Sequence, residues 1–148
     1  MRRKQVWAYY CDFCKKTGRS ASAMSKHEKK CTLNPNRVCG MCRAASLEQK
    51  PLSELMRIAN HGLYRPRGPA TRTGNAKLVL EMIDYAEGCP VCVLAALRQS
   101  GKTRPVCNED GLILVDAYPF NYKEEIDKFW AELREREREA DERSALYE

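Results

Sequence analysis

The chain is short of three things, and each shortage excludes a class of protein. No apolar run in its 148 residues approaches the roughly 18 that a membrane-spanning helix requires. The opening Met1-Arg2-Arg3-Lys4-Gln5-Val6-Trp7 is basic but lacks the apolar stretch of a secretory signal. A cytoplasmic chain with reduced thiols is therefore expected, and paired cysteines then read as metal ligands before disulfides. Histidine is the second shortage, with only His27 and His61. Nucleases of the His-Asn-His and endonuclease VII types need a catalytic histidine beside a further His/Asp metal cluster. With His27 assigned to a zinc set below, Asn60-His61 reads as a helix end. No nucleophile stands beside a base, so no catalytic residue is expected and the chain is read as a non-enzyme. The third shortage is acidic residues in the first half. Residues 1–73 hold 4 Asp/Glu against 16 Lys/Arg, a balance of +12, whereas residues 74–148 hold 16 against 10. A basic half fits a polyanionic partner, because neutralised phosphates release their counterions. The bland alternatives are a solvated surface or a basic half docked on the acidic one.

What the chain has in quantity is cysteine, eight in all. Small modules bury too little apolar surface to be comfortable alone and lean on metals or disulfides. The first set is Cys11-x2-Cys14-x12-His27-x3-Cys31. Two cysteines three apart fit a tight knuckle that aims both sulfurs at one ion, and His27 and Cys31, four apart, share one face of a helix. The second set is Cys39-x2-Cys42 and Cys89-x2-Cys92, with 46 residues between the pairs. That interval exceeds the about 15–20 of compact zinc ribbons, but two helices and a basic loop fit inside it. Its second pair opens a helix, whose positive dipole end favours thiolates. Cys107 is left over, either as a buried small side chain or as a spare ligand displacing one of these; Cys31 changing site is the other alternative. A redox role for Cys89-Pro90-Val91-Cys92 would need a preceding strand, and a helix precedes it. Two zinc ions per chain are expected, in closed four-ligand sites of structural type.

Asn34-Pro35-Asn36 reads as a short linker. Pro51 starts a helix bearing Leu52, Leu55, Met56 and Ala59 at 3–4 spacing, which Asn60-His61-Gly62 ends. Residues 62–75 are a Gly/Pro-rich basic loop carrying Arg65, Arg67 and Arg72. A helix resumes near Ala76, with Val79, Met82, Ile83 and Ala86 on one face, and Gly88 stops it. Another runs over about 91–99. Leu112 to Val115 is the one strand candidate. From Asn121 a long helix begins, with Tyr122, Ile126, Phe129, Trp130 and Leu133 as its stripe. Beyond Leu133 it is almost wholly charged as far as Arg143, and Ala145, Leu146 and Tyr147 make a small apolar tip. A charged rod with such an end suits a protein partner docking on 121–148, the alternative being a frayed tail.

Residues 9–31 resemble the two-cysteine, two-histidine zinc finger with its last histidine replaced by cysteine. The resemblance implies a ββα-like finger with Tyr9 and Met24 as internal apolar residues. The family's second core aromatic falls at Gly18, leaving Phe13 or Trp7 to fill the gap. In the family, base contacts come from helix positions that fall here on Ser20, Ala23 and Lys26. Two of these are too short for bidentate readout. Lys15, Lys16, Arg19, Lys26, Lys29 and Lys30, with Arg65, Arg67 and Arg72, are left as phosphate contacts. Trp7, Tyr9, Tyr10 or Tyr64 would stack on bases. The whole chain looks similar to small zinc-finger proteins of tailed bacteriophages, which implies a DNA- or RNA-binding accessory protein or a virion or assembly component, inside the host cell or in the particle.

The expected fold is thus mainly α, small and zinc-stapled: a finger in 1–34, a helical unit held by four cysteines in 35–120, and a long amphipathic, then charged, helix in 121–148. Binding nucleic acid without sequence preference is the leading function. A structural or adaptor role comes second and an endonuclease-like enzyme last; neither a membrane nor a small-molecule substrate is expected.

Overall fold

The computed structural model describes residues 6–61, 72–102, 105–107, 113–116 and 120–145. They are mainly helical, as expected. The order is β1 (Tyr9–Tyr10), β2 (Thr17–Gly18), α1 (Ala21–Lys30), α2 (Gly40–Ala44), α3 (Leu52–His61), α4 (Arg72–Tyr85), α5 (Pro90–Gln99), β3 (Pro105–Cys107), β4 (Ile113–Asp116) and α6 (Tyr122–Ala145).

β1 and β2 pair antiparallel, Tyr9 opposite Gly18 and Tyr10 opposite Thr17. Ser20 then caps α1, its hydroxyl accepting the Ala23 N–H at 3.3 Å. Lys29 and Lys30 occupy the last turn, where the dipole favours cations. A Cβ on Gly18 would stand 3.0 Å from the Met24 methyl, so Met24 is seated against bare backbone. Cys11, Met24 and Cys31 form the buried cluster here, with Cys14 and Leu33 against it. The apolar residues expected inside are therefore corrected. Trp7 is 80% exposed, Tyr9 40% and Phe13 39%, and none enters the cluster. The metal-site side chains already fill the centre, and a flexible thioether and Leu33 occupy what remains.

The larger core gathers Leu55, Ile58 and Ala59 from α3, Val79, Met82 and Ala86 along and just after α4, Val93, Ala96 and Leu97 from α5, and Phe129 from α6. Cys39, Cys42, Cys89 and Cys92 belong to the same cluster. α5 is central, since Pro90, Cys92, Val93, Ala95, Ala96 and Leu97 are all buried. α3 begins just after Pro51, whose carbonyl accepts the Glu54 and Leu55 N–H groups. α4 begins at Arg72, four residues before Ala76, so it takes up the end of the segment read as loop. Its end is a left-handed turn: Glu87 (φ 52) and Gly88 (φ 79) let the Gly88 N–H reach the Ile83 carbonyl at 2.8 Å.

The expected strand is present as β4, and β3 pairs with it antiparallel, Val106 opposite Leu114. β3 was not expected, because a three-residue strand beginning with proline carries no alternating signal. Asn121 caps α6, its side-chain oxygen accepting the Glu124 N–H at 3.4 Å. Of the expected stripe only Phe129 is buried; Trp130 packs edge-on to it, with ring centroids 5.4 Å apart. Every residue from Arg134 to Ala145 is exposed. Arg136 pairs with Glu132, and Arg138 with Glu135 and Glu142, along this stretch. Leu146 and Tyr147 lie outside the described residues. Among the described residues, no helix is long and apolar enough to cross a membrane.

Candidate metal centres

The first centre is built by a knuckle and a helix. The Cys11 N–H donates to the Lys16 carbonyl at 2.8 Å, and the Lys15 N–H returns to the Cys11 carbonyl at 3.0 Å. This tight turn forces Lys15 to φ 60, a conformation that costs a non-glycine residue. The turn is held to α1 by the Asp12 N–H, which donates to a Glu28 carboxylate oxygen at 3.1 Å. His27 lies inside α1 and Cys31 is its C-cap, so four residues of helix bring both onto the side facing the knuckle. The ligand atoms of Cys11, Cys14, His27 and Cys31 all lie within 4.8 Å of one another. Cys14 Sγ and His27 Nε2 are 3.1 Å apart.

The second centre is assembled from two helix starts distant in sequence. Cys39 is the N-cap of α2 and Cys89 the N-cap of α5, with Pro90 at the first helical position. Cys42 and Cys92 follow one turn into each helix, and the Cys42 N–H points at Cys39 Sγ at 3.5 Å. All four sulfurs are buried and lie within 4.8 Å of one another. Cys39 and Cys89 are 3.6 Å apart, as are Cys42 and Cys92. A disulfide would need about 2.05 Å. Four sulfurs about 2.3 Å from one zinc ion stand about 3.8 Å apart at tetrahedral angles. The observed spacing is that of a metal cage.

Charge makes the same point. Hydrogen bonds from Cys42, then Cys89 and Cys92, hold the Cys39 thiol far below its ordinary value, and the pairing with Cys39 pushes Cys42 up. Four thiolates cannot coexist in so small a volume without a cation. A divalent ion ends the competition by replacing the protons. Four sulfurs in one group, and three sulfurs with one imidazole in the other, are donors in the number and softness that zinc takes. The two groups fit two zinc ions per chain.

Two residues that sequence spacing does not reveal support the second centre. Arg37 is only 4% exposed, and its Nη1 donates to Cys92 Sγ at 3.7 Å. Burial works to lower the Arg37 pKa, and hydrogen bonds to Cys39 and Cys92 outweigh it. Gln49 grips both ends of the segment before the knuckle, accepting the Cys39 N–H at 2.5 Å and donating to the Arg37 carbonyl at 3.0 Å. A lone arginine two residues before Cys39 is the only sequence trace of this arrangement; Gln49 leaves none. Zinc bound by four thiolates is a net negative centre, and Arg37 offsets one of its charges. Arg37→Met keeps the length and removes the charge. It is expected to weaken zinc retention at this site by about tenfold or more, the usual cost of losing a group that supports a metal ligand. Zinc transfer to a chromogenic chelator measures this; a rate equal to the parent's would reduce Arg37 to packing.

The segment read as a linker between the centres is a fixed joint. Asn34 is 8% exposed, and its Nδ2 donates to the Glu28 carbonyl at 2.8 Å. Arg98 Nη1 donates to Thr32 Oγ1 at 2.7 Å, and Gln99 Nε2 to the Thr32 and Asn34 carbonyls at 2.9 and 3.1 Å. α5 thus holds both the second cysteine cage and the end of the first module.

Lys15, Lys16, Arg19, Lys26, Lys29 and Lys30 are all exposed on the first module. Ser20 is engaged as the α1 cap and Ala23 is exposed. Arg72 opens α4, whereas Tyr64, Arg65 and Arg67 lie outside the described residues. Cys107 sits in β3, and its side chain is likewise outside them. His61 ends α3, with its Nε2 3.3 Å from Arg57 Nη1. Comparison of the chain with protein-family models, curated proteins and solved structures gives no match in any of the three.

Proposed function

We propose that the chain is a zinc-stapled nucleic-acid-binding accessory protein, with residues 9–31 as a Cys-Cys-His-Cys variant of the two-cysteine, two-histidine finger. The observation that carries this reading is the exposure of all six Lys/Arg side chains on the first module. α6 packs against α5, and the six cations stay exposed with its acidic residues in place. The zinc ions shape that surface and take no part in chemistry, because four protein donors leave no coordination position for a substrate. Readout of base sequence is not part of the function. Ser20 is engaged as a cap, and Ala23 has no donor to offer a base edge.

Binding is expected to be indifferent to sequence and steeply salt-dependent. On duplex DNA, each phosphate contact removed by replacing Arg65, Arg67 and Arg72 together should lower the log–log salt slope by about 0.9. Deleting residues 134–148 should leave this binding and the zinc content intact. No binding at about 50 mM salt would transfer support to the second reading, a structural or adaptor protein. One feature favours that alternative: the fully exposed, ion-paired stretch from Arg134 to Ala145, which buries nothing of its own.

A further inference from the structure

The hairpin of the first module is too short to bury its own rings. Within eight residues, Val6 is 53% exposed, Trp7 80%, Tyr10 61% and Phe13 39%. The register explains part of this. Tyr9 lies opposite Gly18, on the face turned to Met24, whereas Tyr10 lies opposite Thr17 and turns outward. Phe13 sits on the knuckle between Cys11 and Cys14, both of whose sulfurs face the metal site. Aromatic rings are the largest apolar surfaces a chain can leave in water, and here they occur in a strongly basic stretch of sequence. Lys15, Lys16 and Arg19 are exposed on the same short module, and Arg2, Arg3 and Lys4 precede Trp7 in sequence. Asp12 is the only acidic residue in the first 27.

We propose that Trp7, Tyr10 and Phe13 form a stacking platform for single-stranded nucleic acid, with Lys15, Lys16 and Arg19 holding its phosphates. The proposal rests on the phosphate-binding reading above and narrows its ligand. Unpaired bases offer π-faces to exposed rings, and a duplex hides those faces within its own stack. An apolar protein surface would match the rings and leave the cations without partners. Stacking tolerates every base, which agrees with a module that has no bidentate readers.

The test uses the intact, reduced, zinc-loaded chain with labelled oligothymidylate and a hairpin duplex of equal phosphate count. Oligothymidylate is expected to bind more tightly. It should also quench the emission of the exposed indole, Trp7, since the chain's other indole, Trp130, packs against Phe129. Trp7→Ala and Tyr10→Ala should each lower single-strand affinity by about fivefold to a hundredfold, with Trp7→Phe restoring most of the loss and duplex affinity unchanged. Lys15→Ser with Lys16→Ser should weaken both ligands together. Equal binding of the two ligands, unaffected by Trp7→Ala, would overturn the platform and leave the phosphate-binding reading standing. Failure of both to bind at about 50 mM salt would overturn both readings and return the rings to a protein partner.

Discussion

Native mass spectrometry of the reduced chain is expected to give two zinc ions per molecule, and chelation is expected to unfold it. The reason lies in how little else holds the modules. Among the described residues, only Cys11, Met24 and Cys31 are buried in the first cluster, and two of the three are metal ligands. Without zinc this module has one apolar side chain inside, far below what pays for ordering a chain of that length. In the second cluster the four cysteines lie among Leu55, Val93 and Leu97, and they bring α2 to the start of α5. Structural zinc is worth on the order of 10–16 kcal/mol per site in finger peptides. A domain this small has a total stability of about 5–15 kcal/mol. Removing both ions therefore takes away more than the folded state holds in reserve. Circular dichroism should report most of the helix signal lost on chelation, and zinc should restore it. One zinc or none in freshly reduced protein, or a chelated chain that still melts cooperatively, would contradict the assignment.

Ligand spacing was the most legible feature of the sequence, because tetrahedral coordination restricts how a short chain can present two donors. Two residues between cysteines and three between His27 and Cys31 admit few backbones, and the structure uses a knuckle and a helix face. Helices were legible where one face is apolar: Leu55 with Ala59, and Val79 with Met82 and Ala86, are all buried. Three things were not. β3 is too short to show alternation. Arg37 and Gln49 act through a fold that brings residues 37, 49 and 92 together, and no local pattern records such a meeting. Tyr9 is placed inside, with Phe13 or Trp7 filling the gap at Gly18, only by the finger resemblance. Yet the space beside Met24 exists only because residue 18 is glycine, and Met24 itself fills it. The joint was hidden for a related reason: Asn34-Pro35-Asn36 has the composition of a turn, and its rigidity comes from Arg98 and Gln99, more than sixty residues away.

Replacing one cysteine in each centre should have unequal consequences. Serine keeps the approximate volume of cysteine and loses the thiolate, so either change leaves three donors and releases the ion. In Cys11→Ser the damage is local. The module loses its knuckle and the seat of α1, ten residues of helix, and loosens three hydrogen bonds from Arg98 and Gln99. Such bonds contribute about 1 kcal/mol each, so α3, α4 and α5 should survive at lower stability with one zinc still bound. In Cys89→Ser the damage is central. Cys89 is wholly buried at the start of α5, the helix against which α3, α4 and α6 all pack. Losing its zinc frees segments 46 residues apart in sequence and leaves a serine hydroxyl in an apolar cluster, a further cost of about 1–3 kcal/mol. The helices then at risk are α3, α4 and α5, of 10, 14 and 10 residues. The joint carries the loss onward, because Thr32 and Asn34 are pinned by α5 itself. Hydrogen exchange should therefore show Cys11→Ser unprotected only near residues 9–31. Cys89→Ser should be unprotected across 52–61, 72–85 and 90–99, with protection in α1 weakened but not lost. Equal loss of protection in the two variants would mean that the centres fold as one unit, with α5 no more important than the knuckle.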